Sequence, residues 1–125
     1  MVREELVGTW RLAGYKLTDA SGNVSDPWGS DAQGYIFYSA DGYMSCSVER
    51  SDGKGGRDHL TYCGALECLD GKNIHRIQMS SDPKLRGTEQ HRAVSLDGDQ
   101  MTLTADPSIA YGPGHKAEIL WQRTE

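Results

Sequence analysis

No apolar run in this 125-residue chain approaches the roughly 20 residues that a membrane-spanning helix needs. The first residues, Met1-Val2-Arg3-Glu4-Glu5-Leu6, contain no apolar segment of the kind a signal peptide carries. Cysteine is scarce: three residues, an odd number without a CxxC pair, build no disulfide framework and suit a reducing cytoplasm. Clustered positive charge is missing too. A formal charge of -5 with scattered Lys and Arg excludes a phosphate-binding face, and with it nucleic acid as a partner.

Catalytic signatures are equally sparse. His59, His75, His91 and His115 show neither HxH nor HxxxH spacing, so no metal site is expected. No GxSxG elbow accompanies Ser45 or Ser47, and Gly53-Lys54-Gly55-Gly56 does not lead into a helix that could cradle a phosphate. Cys46, Cys63 and Cys68 sit in apolar patterns. A Cys46 nucleophile activated by His75 has no local signature behind it. Any catalysis would be cofactor-free.

What is present is glycine, 15 residues, with three Asp-Gly pairs between alternating apolar segments. Asp41-Gly42, Asp70-Gly71 and Asp97-Gly98 read as tight hairpin turns, because Asp tolerates positive φ and Gly adopts it freely. The other connections are long: Asp19 to Gln33 through Pro27-Trp28-Gly29, Arg50 to Thr61, Asp82-Pro83-Lys84, and Asp106-Pro107 to Gly114. No segment sustains a 3.6-residue apolar period. Short and long connections alternate, so in an up-and-down meander the tight turns gather at one end and the long loops ring the other. About eight strands are predicted, near residues 9–17, 34–39, 43–49, 61–68, 73–80, 88–96, 100–104 and 115–123. The expected fold is all-β, a single up-and-down antiparallel barrel in one domain spanning 1–125, wide enough for one small ligand.

Trp10 opens the first strand and Trp121-Gln122-Arg123 ends the last. If the sheet closes, Arg123 stacks on the Trp10 indole and seals the tight-turn end, with Arg3 to Leu6 as a short helical plug. This pairing resembles the signature of the calycin superfamily. Together with Leu6-Val7-Gly8-Thr9-Trp10-Arg11-Leu12, Asp41-Gly42-Tyr43-Met44-Ser45 and Gly87-Thr88-Glu89-Gln90-His91-Arg92, the chain resembles small bacterial lipocalin-like domains over essentially its whole length. The resemblance implies a lipocalin-like barrel and places polar residues at His75, Gln90 and Arg92.

Strand parity selects the interior. Gln90, Arg92, Val94 and Leu96 share one face, as do His75, Ile77 and Met79, and as do Tyr62, Gly64 and Leu66. Two-residue turns set Leu66 opposite His75 and Val94 opposite Met101, and a symmetric loop sets His75 opposite Arg92. For strand 34–39 a two-residue turn puts Phe37 beside inward Cys46, whereas a bulged three-residue turn puts Tyr38 beside inward Met44; family resemblance favours Tyr38.

Arg92 shares its face with no carboxylate, since Glu67, Glu89 and Glu118 have the opposite parity. A buried guanidinium demands partners, so it either closes a structural network or awaits a ligand. His75 is either a satisfied core residue or an acid–base group. Trp28 is a lid or covers a strand edge, and Tyr62 offers a phenol or simply packs. The resulting expectation is a cavity for a largely apolar small molecule with a carbonyl or anionic group. His75 and Arg92 are the catalytic candidates, and Gln90, Tyr62, Tyr38, Trp28, Met79 and Met44 the ligand contacts. The resemblance to other small barrels implies a cofactor-independent isomerase or cyclase of polyketide-like natural-product biosynthesis; the alternative is a non-catalytic carrier. Outward Ala13, Tyr15 and Leu17 suggest a homodimer patch.

Overall fold

A computed structural model describes residues 3–105 and 112–124. Most of the loop expected from Asp106-Pro107 to Gly114 lies outside the described residues. Among the described residues nine strands follow one another: β1 (Gly8–Thr18), β2 (Val24–Ser25), β3 (Gln33–Tyr38), β4 (Tyr43–Ser51), β5 (Arg57–Leu69), β6 (Lys72–Ser80), β7 (Glu89–Asp97), β8 (Gln100–Ala105) and β9 (Lys116–Arg123). All pairings are antiparallel, and β1 pairs with β9, so eight strands close into a barrel with the short β2 added on β1. The expected helical plug does not form. Glu4–Leu6 is one 3₁₀ turn, too short to be a helix of consequence, and what it contributes is the buried Leu6 side chain.

The closed end is built as the residues demand. Trp10 pairs with Arg123 across the β1–β9 seam, and the guanidinium carbon lies 4.1 Å from the indole centroid. The same guanidinium donates to the carbonyls of Val7 (3.0 Å) and Glu5, while Trp10 Nε1 donates to Leu6 O at 2.9 Å. The stacked cation and the indole thus satisfy their donors on three backbone oxygens around them.

The turns refine the register. Asp70 and Gly71 both have positive φ, 53° and 74°, the requirement of a two-residue primed turn, and Leu66 indeed faces His75. Tyr38 lies opposite Met44, the bulged alternative. The third turn is Gly98-Asp99, because Asp97 pairs with Gln100; this moves Val94 opposite Leu103 and Leu96 opposite Met101. On β6–β7, Ile77 N bonds to Thr88 O, so the ladder pairs His75 with Gln90 and Arg92 with Asn73. Both corrections are shifts of two residues, which preserve the facing of every side chain.

Two β-bulges do change facing. On β1 the register slips between Leu12 and Gly14, leaving Ala13 extra, so Tyr15 and Leu17 turn inward and are buried. The outward patch expected from them does not exist, and the dimer loses its basis. On β6 the register slips at Gln78, where Gly64 pairs with Ile77 and Cys63 with Met79. Met79 therefore points outward and is 61% exposed, so it contacts no ligand in the barrel. The β4–β5 connection is also tighter than expected, because the two strands extend as a hairpin to Ser51 and Arg57.

Candidate ligand-binding site

Above the Trp10 floor the barrel encloses a cavity of about 660 Å³. Ile36, Val48, Leu60, Leu103, Ile119 and Trp121 give it apolar walls; His75, Tyr62, Gln90 and Arg92 are its polar patch. Trp28, from the loop after β2, and Asp82, Lys84 and Leu85, from the loop after β6, stand at the long-loop end. Trp28 packs on Tyr15 with ring centroids 4.4 Å apart, so a residue turned inward by a bulge seats the loop tryptophan against the cavity. Arg50 Nη1 donates to Pro27 O at 3.2 Å and Arg57 pairs with Asp31 at 2.9 Å, tying that loop to the β4–β5 hairpin.

The polar patch has two parts. In the first, Asn73 Nδ2 donates to the Tyr38 hydroxyl (3.2 Å), and that hydroxyl lies 2.7 Å from His75 Nε2. The other ring nitrogen, Nδ1, faces the Tyr62 hydroxyl at 3.5 Å, so both nitrogens of His75 meet phenols. Burial, with the Arg92 charge adding to it, pushes the His75 pKa down to about 3. The imidazole is neutral near pH 7. Burial likewise raises the phenols of Tyr38 and Tyr62, and it pushes the Cys46 thiol up to about 12. A thiol so held is no nucleophile.

In the second part, Arg92 donates to Gln90 Oε1 and, at 3.0 Å, to His91 O. Burial lowers its pKa, yet a guanidinium stays charged. Among the described residues Arg92 forms no ion pair; Glu89, which also borders the cavity, pairs instead with Arg76 and His91. The cation is thus held against the cavity wall by neutral acceptors alone.

Of the residues selected from the sequence, His75, Arg92, Gln90, Tyr62 and Trp28 meet at the cavity. Tyr38 and Met44 are buried in the core and do not line it, so Tyr38 supports His75 from behind and Met44 is packing. Sequence reasoning missed Asn73, although it shares the His75 face. It also placed Tyr15 on the wrong side. Among the described residues, no group of three His, Cys, Asp or Glu side chains is placed to hold a metal, and no helix is long and apolar enough to cross a membrane.

The sequence profile of the lipocalin-like domain matches this chain over residues 7–57 and 53–124. The chain belongs to the lipocalin-like domain family. Curated proteins yield no match. Among solved structures, a redesigned β-barrel shares 19% identity at a TM-score of 0.49, covering 96% of this chain and 92% of that one. A lipocalin-like barrel with such a cavity is a small-molecule binder.

Proposed function

We propose that this lipocalin-like domain binds a largely apolar organic molecule that presents an anionic or strongly polarised carbonyl oxygen to Arg92. The observation that carries the reading is a charged guanidinium on the wall of a largely apolar cavity, fixed by Gln90 and a backbone carbonyl and in no ion pair among the described residues. Such a cation is costly to bury alone, and an anionic ligand offsets that cost with a charge-assisted hydrogen bond. The test uses 8-anilinonaphthalene-1-sulfonate, an apolar anion. Arg92→Met should weaken its binding by about 1.5–3 kcal/mol while the melting temperature holds or rises. Unchanged affinity together with a melting temperature several degrees lower would assign Arg92 to a structural network instead.

A second reading, a cofactor-independent isomerase or cyclase of polyketide-like intermediates, has one observation in its favour. The Tyr62 hydroxyl, hydrogen-bonded to His75, shares the cavity with Arg92, so a proton donor and an oxyanion-stabilising cation face one space. The low pKa of His75 opposes it as a general acid or base, since such groups work best with a pKa near the operating pH. The carrier reading is therefore the stronger one.

A further inference from the structure

We infer that the outer face of β3 to β6 docks a second copy of this chain, so that the protein forms an isologous dimer through it. The face is distinct from the β1 patch expected from the sequence, whose Tyr15 and Leu17 turn inward. It lies outside the cavity and is independent of the ligand-binding reading. Thr9, Phe37, Ser45, Cys63 and Met79 are successive ladder partners and form one row across five strands. Tyr35, Ser47 and Thr61 make the neighbouring row toward the long loops, and Tyr43 and Ala65 the neighbouring row toward the tight turns. Tyr35, Phe37, Tyr43 and Met79 are exposed to 43%, 42%, 55% and 61%, so four of the six large exposed hydrophobics among the described residues gather on this one face. Tyr35 and Phe37 also stack, with ring centroids 6.1 Å apart.

Charge and area indicate what covers the patch. The chain carries a net charge of -5, yet none of the residues in the three rows is acidic. Glu49 and Glu67, beyond the rows on β4 and β5, are bound by Arg57 and His59 and by Arg76. Two copies that repel each other elsewhere therefore meet here without opposing carboxylates. An anionic lipid surface would call for clustered cations, whereas the cations bordering the rows are Arg11, beside Tyr35, and Arg76, already bound to Glu67 and Glu89. At about 200 Å² for a whole side chain, the four apolar residues expose roughly 400 Å² together. Homodimer interfaces are about 65% apolar, which makes the footprint roughly 600 Å² per copy and 1,200 Å² in all, the lower bound for a specific complex. The surface is also self-complementary. A two-fold axis parallel to the strands between β4 and β5 sets each Phe37 against the partner's Met79 and each Tyr43 against the partner's Ala65, so these rings meet a flexible or a small side chain.

Sedimentation velocity from about 1 µM to about 500 µM should show monomer passing to dimer, with a dissociation constant of about 10–100 µM. Met79→Glu puts a charge into the contact twice by symmetry and should weaken association at least about tenfold. Phe37→Ser should act in the same direction. Both side chains project from the barrel, so the variants should melt within a few degrees of the unaltered protein when dilute. The unaltered protein supplies a readout that needs no variant: its Met79 methyl resonance should move as concentration rises, while those of Val24, equally exposed on β2, stay in place. A protein still monomeric at about 500 µM overturns the inference. So does a dimer that neither variant weakens and in which the Met79 resonance does not move. Binding of a monomeric protein to vesicles of phosphatidylcholine and phosphatidylserine, lost in Met79→Glu, overturns it in favour of a membrane.

Discussion

His75 shows how burial beside a cation can reverse the role a side chain suggests. In water its imidazole takes a proton near pH 6.5, but at 1% exposure, with a guanidinium in the same cavity, it waits until about 3. Between those values the unfolded chain binds more protons than the folded one, so stability is complete above about pH 6.5 and falls as the pH falls. The limiting slope is about 1.4 kcal/mol per pH unit, or about 2 kcal/mol from pH 6.5 to 5. Urea denaturation at pH 7 and pH 5 should therefore show the wild-type protein losing about 2 kcal/mol more than His75→Gln. Identical losses would mean that the folded protein carries a charged His75. The residue was legible in the sequence by parity; its neutrality was not, because that depends on burial inside the closed barrel and on Arg92 arriving from another strand.

At the scale of strands, the bulges on β1 and β6 decide which residues the cavity sees. Gly64 marks the second: a Cβ there would lie 1.9 Å from the Arg76 carbonyl oxygen, a backbone atom that cannot swing aside. Gly64→Ala should cost about 3 kcal/mol or more and lower the melting temperature by roughly 6 °C or more. Gly14, beside the first bulge, has an ordinary φ and open space where a methyl group would project, so Gly14→Ala should stay within about 1 kcal/mol of wild type. A thermally neutral Gly64→Ala would show that the β5–β6 register is free to slip. A period-2 pattern cannot reveal such bulges, since one inserted residue leaves the composition of a strand intact while exchanging its faces.

For the molecule as a whole, the seam between the first and last strands is the point on which closure depends. Trp10 is wholly buried and Arg123 caps it. Trp10→Ala should cost about 3–5 kcal/mol, enough to abolish folding in a domain of this size. Arg123→Ala should cost less, about 1–2 kcal/mol, because the indole stays buried after the stacked cation is lost. Thermal denaturation checks both, and a Trp10→Ala protein melting within a degree or two of wild type would remove the seam from the account.

The sequence by itself determined the strand count of the barrel, the alternation of tight and long connections, the closing pair, and an arginine facing inward without a carboxylate. These are local or periodic features, and turn chemistry and side-chain alternation act over a few residues. Only the tertiary structure decided that Tyr15 lines the cavity and Met79 does not, and that His75 faces Gln90. Each of those depends on a bulge or a register between strands, and register is set by the packing of the closed barrel rather than by either strand alone.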